Sequence, residues 1–323
     1  MLIETQKLRK TYRSRQRKGL VEAVRGVDLS VEEGEIFGFL GPNGAGKTTT
    51  LRMLATLLEP SEGVATVAGY DLRREPAQVR RRIGYVGQSG GTWGEVTARE
   101  ELMMQARLYE LPKPTRKPRV ADVIEAFDMA DFADRKCKTY SGGQRRRLDI
   151  ALGTVHSPKL LFLDEPTTGL DPQSRAHMWE EVRRLRKRGT SVFLTTHYLD
   201  EADALCDRLA IIDHGEIVCE GTPRELKRQI AGDIVEIGVE GDGNKAVELL
   251  RAKDFVHEVD VNESTTVGVA DLRLAVDDGA VAVPHILREL DQAGIVPSTI
   301  ELHRPSLDDV FLKQTGRSLR ENS

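Results

Sequence analysis

The 323-residue sequence predicts an α/β domain followed by a smaller α+β domain. A glycine-rich stretch at residues 41–49 lies between a strand-like apolar run and a helix-like segment. Further apolar runs, at residues 160–163 and 190–196, end in polar or charged residues, as buried parallel strands of an α/β sheet do. After residue 230 the pattern changes to the element order of a ferredoxin-like unit.

The glycine-rich stretch has the spacing of a phosphate-binding loop, in which two glycines separated by four residues precede Lys and Thr. Glycines allow a tight loop whose backbone N–H groups surround an anion closely. We expect a strand over 35–40 to enter the loop, and a helix over 48–58 to add the partial positive charge of its N-terminus. Lys47 would contact the β- and γ-phosphates of a nucleotide, and the Thr48 hydroxyl would bind Mg²⁺. The candidate loop residues are Gly41, Pro42, Asn43, Gly44, Ala45, Gly46, Lys47, Thr48 and Thr49.

Composition restricts the class of protein. Hydrophobic residues at 39% and charged residues at 30% are typical of a soluble globular chain, and its length suits about two domains. The net charge of −4 disfavours a dedicated nucleic-acid binder. We expect neither a signal peptide nor a membrane span, because no long apolar stretch occurs. We expect Cys137, Cys206 and Cys219 to be the reduced thiols of a cytosolic protein.

Two residues near the predicted N-terminal strands are weak candidates for nucleotide contacts. Tyr12 lies in the basic stretch 10–18 and can stack its ring on an adenine, although a lone Tyr is more often an ordinary strand-end aromatic. Gln88 follows a predicted strand at a place where its amide can reach a nucleotide-bound metal or water. The strands predicted in this part of the chain are 2–8, 21–31, 64–67 and 83–86.

A helical insert interrupts the α/β pattern between about residues 89 and 158. Apolar residues recur at helical spacing over 98–109 and again over 120–127. The intervening stretch 111–118 contains several prolines and is predicted to be a linker.

The most informative part of the insert is Tyr140-Ser141-Gly142-Gly143-Gln144, which precedes a predicted amphipathic helix over 145–154. A Ser-Gly-Gly run at a helix start offers free N–H groups and a hydroxyl to an anion. Standing alone, the same run is more often a plain serine N-cap followed by flexible glycines.

Two carboxylates, Asp164 and Glu165, end the apolar run 160–163. Ligands bind at the carboxyl ends of parallel strands, so Asp164 is placed to hold Mg²⁺ directly or through water. Glu165 is placed to orient and polarise an attacking water. The strand 190–196 ends next to His197, whose imidazole can hydrogen-bond a γ-phosphate, although a lone His is more often structural.

These parts, in this order, resemble the ATP-binding cassette superfamily over residues 1 to about 230. The most specific element is the signature Ser141-Gly142-Gly143-Gln144 shortly before residues 161–165, since other phosphate-loop families lack it. The signature commonly starts with leucine where this chain has Tyr140. The resemblance implies a P-loop NTPase fold that hydrolyses ATP with Mg²⁺. It also implies a homodimer, because the signature of one subunit closes on ATP held by the phosphate loop of the other.

The resemblance further implies roles for single residues. Tyr12 matches the aromatic residue that stacks on adenine, and Gln88 matches the glutamine that senses metal and water. Asp171 matches the loop that links the two active sites. Glu165 matches the catalytic carboxylate, and His197 matches the switch histidine.

Within the superfamily, the chain is most similar to the daunorubicin/doxorubicin-resistance group of bacterial exporter ATPases. The similarity lies in residues 143–151, 195–202 and 305–312. It implies a peripheral protein on the cytoplasmic side of the cell membrane that contacts the membrane only through a separate permease. The exported compound would be drug-like or hydrophobic. Where the group commonly has Arg-Glu-Asn-Leu, residues 99–102 read Arg-Glu-Glu-Leu, in the insert that faces membrane partners.

Two other functions fit a cassette ATPase. One is an importer subunit whose C-terminal domain is a regulatory sensor. The other is a soluble protein that acts on ribosomes or chromosomes, but such relatives usually carry two cassettes or a cassette split by a long coiled coil. This chain has neither feature.

Residues 231–316 are predicted to form an accessory ferredoxin-like domain with the order βαββαβ, followed by a tail over 317–323. Such units often expose a sheet face or edge that pairs with a second copy, and the alternating strand 234–240 has apolar residues on one side. We therefore expect this domain to dimerise and hold two subunits together. The alternative is a passive appendage that covers the surface of the cassette. We expect no chemistry here, since His257, His285 and His303 are scattered and fit structural or exposed positions. The predicted strands are 234–240, 255–261, 267–276 and 295–302, and the predicted helices are 245–252 and 280–293.

Overall fold

The structure is a computed structural model that describes residues 1–14, 19–229, 232–240, 243–262, 269–303 and 305–316. It divides into two compact units, one formed by Met1–Pro223 and the other beginning at Arg224. The predicted domain boundary at residues 230 and 231, and the predicted tail 317–323, fall outside the described residues. None of the described helices is both long enough and apolar enough to span a bilayer. The three cysteines are free thiols.

The first unit begins with β1 (Ile3–Ser14), β2 (Gly19–Val31), β3 (Ile36–Leu40), α1 (Lys47–Leu54), β4 (Glu62–Val67), β5 (Tyr70–Asp71), α2 (Pro76–Arg82) and β6 (Ile83–Val86). The helical insert contains α3 (Ala98–Leu108), α4 (Lys113–Ala126), a 3₁₀ turn (Cys137–Thr139) and α5 (Gly142–Thr154). The chain then forms β7 (Leu160–Asp164), α6 (Pro172–Lys187), β8 (Ser191–Thr196), α7 (Leu199–Leu205), β9 (Arg208–Asp213) and β10 (Glu216–Gly221). Helix α8 (Pro223–Arg228) follows, and all of it after Pro223 belongs to the second unit.

The core of the first unit is a six-stranded sheet with the spatial order β10-β9-β3-β8-β7-β6. All neighbouring strands are parallel except the antiparallel pair β9 and β10. Every residue of β3, β7 and β8 is buried, as expected for apolar runs in the middle of a parallel sheet covered on both faces. The predicted α/β fold is confirmed.

A second, antiparallel sheet has the order β2-β1-β4-β5. Strand β1 continues to Ser14, beyond the predicted strand 2–8, so the described part of the basic stretch, residues 10–14, is strand. Within it Tyr12 pairs with Val21 of β2. Residues 15–18, which complete the basic stretch, lie outside the described residues.

The helical insert corrects two predictions. Helix α4 begins at Lys113 and includes Pro118, so most of the predicted linker is helical. Pro114 lies in the first turn, where its missing N–H has no intrahelical partner anyway, and Pro118 removes only one backbone hydrogen bond. Helix α5 begins at Gly142, and it buries Arg146 and Asp149 together with apolar residues. It is therefore not the amphipathic helix that the sequence predicts.

The second unit contains β11 (Asp233–Glu240), α9 (Gly243–Arg251), β12 (Val256–Asn262), β13 (Val269–Val276), α10 (Gly279–Gln292), β14 (Pro297–His303) and α11 (Leu307–Thr315). Its sheet has the order β12-β13-β11-β14, and all neighbouring strands are antiparallel. This is the ferredoxin-like arrangement, as predicted. Helix α11 follows the last strand and was not part of the predicted motif.

The expected dimerisation cannot use a free edge of β11, and dimerisation through another surface of this unit stays a prediction. This strand is hydrogen-bonded to β13 on one side and to β14 on the other, so it has no free edge. Its apolar side chains, Val235, Ile237 and Val239, are buried in the core of their own unit. Alternation in sequence indicates that one side of a strand is covered, but not which element covers it.

Candidate nucleotide site

Three neighbouring strands, β3, β8 and β7, end at the same edge of the parallel sheet. The phosphate loop follows β3, Asp164 ends β7, and His197 follows β8. Backbone hydrogen bonds join these segments: Gly41 N donates to Thr196 O at 3.3 Å, and Glu165 N donates to Thr195 O at 3.1 Å. The fold therefore brings these sequence candidates together.

The two motif glycines of the loop are required by close backbone contacts. A Cβ at Gly41 would collide with the carbonyl oxygen of Ile212, and a Cβ at Gly46 would lie 2.5 Å from Ala23 O. Gly46 also has φ 105° and caps α1 without a side-chain hydrogen bond. The first N–H groups of α1 are thus available to an anion.

The side chain of Lys47 folds back over this loop. Its Nζ donates to Gly41 O at 2.7 Å and to Pro42 O at 3.0 Å. Within the loop Pro42 and Ala45 are buried, whereas Asn43 and Gly44 are exposed and Thr49 is half-buried.

Asp164 has an unused oxygen at the centre of the site. Its side chain is fully buried, and its Oδ1 accepts hydrogen bonds from Thr48 Oγ1 at 2.9 Å and Thr195 Oγ1 at 2.7 Å. Its Oδ2 is buried with no hydrogen-bond partner. A buried carboxylate oxygen without a partner is costly. Together with the Thr48 hydroxyl it fits the oxygen ligands that Mg²⁺ prefers.

Glu165 is the most constrained residue of the site. Its φ of 47° lies in the left-handed region, which costs energy for a residue with a side chain and is typical of functional sites. Its Oε1 lies 3.5 Å from Lys47 Nζ, and its Oε2 accepts from Gln88 Nε2 at 3.1 Å and from Thr168 Oγ1 at 3.2 Å.

His197 completes the surroundings of this carboxylate. Its Nδ1 lies 3.3 Å from Glu165 Oε2, at an orientation that forms no hydrogen bond. The neighbouring imidazole is the largest cause of a lowered pKa at Glu165; Lys47 lowers it further, while burial opposes both. Burial lowers the pKa of Lys47, and Glu165 opposes that shift. A carboxylate whose pKa is lowered is ionised at neutral pH and is able to accept a proton.

The signature residues form the start of α5. Ser141 Oγ accepts from Gln144 N at 3.2 Å, and Gln144 Oε1 accepts from Ser141 N at 3.1 Å, which is a capping box. Ser141 and Gly142 are exposed, and Gly143 lies beside Ser174 of α6. Among the described residues no hydrogen bond joins the signature to the phosphate loop of the same chain.

Asp171 and Tyr12 lie apart from the carboxylates. Asp171 is the N-cap of α6, and its Oδ1 accepts from Ser174 N at 2.8 Å. The ring of Tyr12 is 39% exposed and lies under Lys10, whose Nζ is 5.4 Å from the ring centroid. Its exposed ring is free to stack.

The sequence does not single out Arg146, which the structure places directly behind the carboxylates. Its guanidinium is buried and donates to carbonyl oxygens of β7, of the segment after β7 and of the loop before Gln88. A signal was available: Arg146 precedes the buried Asp149 and Ile150 at helical spacing, on the inner face of α5.

A parallel sheet with these strand-end groups and a separate Ser-Gly-Gly helix start defines an ATP-binding cassette ATPase. A family model described as ABC transporter matches residues 24–168. A second, described as ATP-binding protein DrrA1-3-like, C-terminal domain, matches residues 221–315. The chain belongs to the family of ABC transporter ATP-binding proteins, in the group of daunorubicin/doxorubicin resistance proteins, as the sequence motifs predict.

Relatives match along almost the whole chain. The chain is 44% identical to a daunorubicin resistance ATP-binding protein, DrrA2, of Streptomyces coeruleorubidus, over 93% of this chain and 92% of that protein. It is 36% identical to a linearmycin resistance ATP-binding protein, LnrL, of Bacillus subtilis (strain 168), over 99% of this chain and 100% of that protein. A dimeric ATP-binding cassette solved in a post-hydrolysis state with ADP and Pi aligns with a TM-score of 0.62 at 25% identity, covering 68% of this chain and 98% of that one.

Proposed function

We propose that this protein is the ATP-hydrolysing subunit of a bacterial exporter. Two copies enclose two ATP molecules, and hydrolysis drives efflux of a drug-like or hydrophobic compound through separate membrane permease subunits. The observation that carries this proposal is the surroundings of Glu165, which is buried, ionised and in contact with Lys47, Gln88 and His197. The resistance named for the two relatives supports a drug-like cargo.

Each residue of the site has a distinct task in this proposal. The phosphate loop and Lys47 hold the phosphates, and the exposed ring of Tyr12 stacks on the adenine. Thr48, Gln88 and the unpartnered Oδ2 of Asp164 would hold Mg²⁺, which when bound supplies positive charge to the phosphates.

Glu165 accepts a proton from the attacking water, and His197 and Gln88 keep its carboxylate in place. The signature makes no hydrogen bond to the phosphate loop of its own chain among the described residues. The site is therefore completed by Ser141 of the partner subunit. Asp171, at the start of α6 beside Ser174, lies next to the signature and links the two sites.

The permease would bind along residues 88–102 and the adjoining face of α3. Large apolar side chains are exposed there, with Trp93 at 67% and Leu108 at 67%. Such exposure on a charged chain is typical of a surface that a partner covers. The protein would then sit on the cytoplasmic side of the cell membrane through its permease, with no nucleic-acid partner.

The decisive variant is Glu165→Gln, which keeps the shape of the side chain and removes the proton acceptor. We expect ATP affinity to be retained and single-turnover hydrolysis to fall about 1,000-fold, within the range for a lost general base. A matched control is Glu216→Gln, which changes an exposed carboxylate at the start of β10. Hydrolysis at the wild-type rate in Glu165→Gln would refute the proposal.

Transport direction needs a separate experiment. Cells that express the chain with its permease should accumulate less daunorubicin than cells that carry the Glu165→Gln variant. Higher accumulation in the wild-type cells would instead indicate an importer.

A further inference from the structure

We propose that Arg146 is a positioning residue that holds the backbone around Glu165 and the loop before Gln88 in one fixed arrangement. Arg146 contacts neither nucleotide nor water in this proposal, and it acts through the backbone that carries the two catalytic side chains. The inference rests on the function proposed above for Glu165 and Gln88. It adds a link between the signature helix α5 and the catalytic carboxylate of the same chain.

The contacts of Arg146 extend to two separate segments. Its Nε donates to Pro166 O at 2.7 Å, and its Nη2 lies 3.3 Å from Asp164 O and 3.5 Å from Glu165 O. On the other side, Nη1 donates to Gly87 O at 2.7 Å. One side chain therefore binds the carbonyls of three consecutive residues, the last of β7 and the two that follow it, and also the carbonyl directly before Gln88.

Only a guanidinium can make this set of bonds. Its donors form a rigid planar fork, whereas a lysine ammonium is a single point from which three hydrogens diverge. Among the described residues no carboxylate lies within ion-pair distance of Arg146. Burial lowers its pKa, and the charges of Asp149 and Asp164 oppose that shift. Four carbonyl oxygens take the place of a counter-ion.

The bonds explain how Glu165 keeps its strained backbone. A residue with φ 47° stays in the left-handed region only when its neighbours hold it there. The N–H of Glu165 donates to the Thr195 side chain and backbone, both at 3.1 Å. Arg146 contacts the carbonyl oxygens of the residues before and after Glu165, so hydrogen bonds hold the peptide groups on both sides of this residue.

A second buried charge on the same face of α5 holds the other side of Gln88. Asp149, one turn after Arg146, lies against the backbone of Gly90 and Gly91; burial raises its pKa, and Arg146 and the nearby backbone of Gly91 oppose that shift. At Gly90 a Cβ would lie 2.5 Å from Asp149 Oδ2. The loop that carries Gln88 is thus attached to α5 both before and after the glutamine.

This attachment links two events in one subunit. Helix α5 begins with the signature, which in the proposed dimer contacts ATP held by the partner, and Arg146 lies about one turn further on. A shift of α5 when the signature meets that ATP would move the backbone of Glu165 and Gln88 in its own subunit. Binding of ATP at one site is then coupled to alignment of the catalytic groups at the other.

The test compares Arg146→Gln with Arg119→Gln. Arg119 is a matched control, because its half-buried guanidinium donates to Thr154 O at 2.8 Å and Val155 O at 2.9 Å at the opposite end of α5. We expect Arg146→Gln to lower kcat about tenfold to a hundredfold, the size typical of residues that orient the groups of a site. ATP affinity should stay unchanged, and Arg119→Gln should keep the wild-type kcat.

Amide hydrogen exchange supplies a readout that does not depend on activity. Arg146→Gln should speed exchange of the backbone at 87–91 and 164–168, whereas Arg119→Gln should speed it only near residues 154–155. If Arg146→Gln does not fold, Arg146→Lys replaces it, with a kcat between those of the wild type and a fully disrupted site. Wild-type kcat and exchange in a folded Arg146 variant would overturn the inference, as would an equal loss of ATP affinity.

Failure of the proposed function looks different. In that case the wild-type protein would not hydrolyse ATP, or Glu165→Gln would hydrolyse it at the wild-type rate. The exchange pattern of the Arg146 variants would still show whether this arginine fixes the two segments.

Discussion

The two units of the chain differ in the polar and charged side chains that they bury. In the first unit Lys47, Arg146, Asp164 and Glu165 are all at most 8% exposed. In the second unit the described residues include no buried polar or charged side chain, and the core is formed entirely by apolar groups. Both units are folded α and β structures, so the difference does not follow from the type of secondary structure.

Burying a charge costs several kcal/mol unless partners replace water. In the first unit Lys47, Arg146, Asp164 and Glu165 lie together at one edge of the sheet, whereas other buried carboxylates, such as Glu35 before β3 and Glu101 in α3, lie elsewhere. The ferredoxin-like unit has a core that gives stability alone. From this contrast we predict that changes in the second unit affect stability and leave nucleotide binding unchanged, and three experiments test the comparison.

Among these three experiments, the largest effect on nucleotide binding is expected for Gly46→Ala. The new Cβ would lie 2.5 Å from Ala23 O on a backbone with φ 105°, and strain of about 1–3 kcal/mol adds to that collision. We expect ATP affinity, measured by calorimetry, to fall on the order of a hundredfold. The control is Gly294→Ala in the second unit, where φ is 70° and no atom lies within 4 Å. That change should cost about 1 kcal/mol of stability and leave ATP affinity unchanged.

A core truncation in the second unit should affect stability and not nucleotide binding. Leu274→Ala removes a fully buried side chain from β13, and we expect unfolding of this unit to become easier by about 2–5 kcal/mol. The surface change Val281→Ala, on α10 at 61% exposure, should alter stability by less than about 0.5 kcal/mol. A large loss of ATP affinity in Leu274→Ala would contradict the division of tasks between the units.

The smallest effect is a change in pH dependence. His197 is the largest cause of the lowered pKa of Glu165, whose ordinary value is 4.5. The ionised form that accepts the proton, and the stability it contributes, are therefore present above pH 4.5 and are lost only as pH falls through the lowered pKa. In His197→Gln the acid limb of kcat/KM should move to higher pH. An unmoved limb would show that the imidazole does not hold this carboxylate ionised.

Much of the fold can be predicted from the sequence, because the apolar runs and the motifs that follow them indicate the same strand positions. The strand predicted over 83–86 has the observed bounds of β6, and the run 160–163 is a buried strand that ends at Asp164. The ferredoxin-like order is also visible from alternation and spacing. Where the local sequence pattern and the topology of the fold agree in this way, the fold class predicts which strands are neighbours in the sheet.

The rest depends on contacts that no local pattern records. In a run of three arginines only Arg146 is buried, because only it faces β7 and the loop before Gln88. Pro118 looks like a helix breaker but remains inside α4. Neighbouring residues impose the left-handed backbone conformation of Glu165. The sequence does not predict it, because glutamate normally avoids this conformation.

The capping boxes of the chain differ in what they do with the hydroxyl proton. At Thr97 the hydroxyl accepts from the backbone of Glu100 and donates to that residue's carboxylate, at 3.0 Å. The box that begins α11 does the same. At Ser141 the partner is the amide of Gln144, and the described contacts use the hydroxyl only as an acceptor. The hydroxyl hydrogen is therefore available. Ser141 caps the N-terminus of α5 with an oxygen lone pair and can still donate its O–H to another group. A carboxylate at position 144 would accept this hydrogen bond. The signature would then lose the hydroxyl donor that the proposed dimer directs to ATP, while the helix cap would remain.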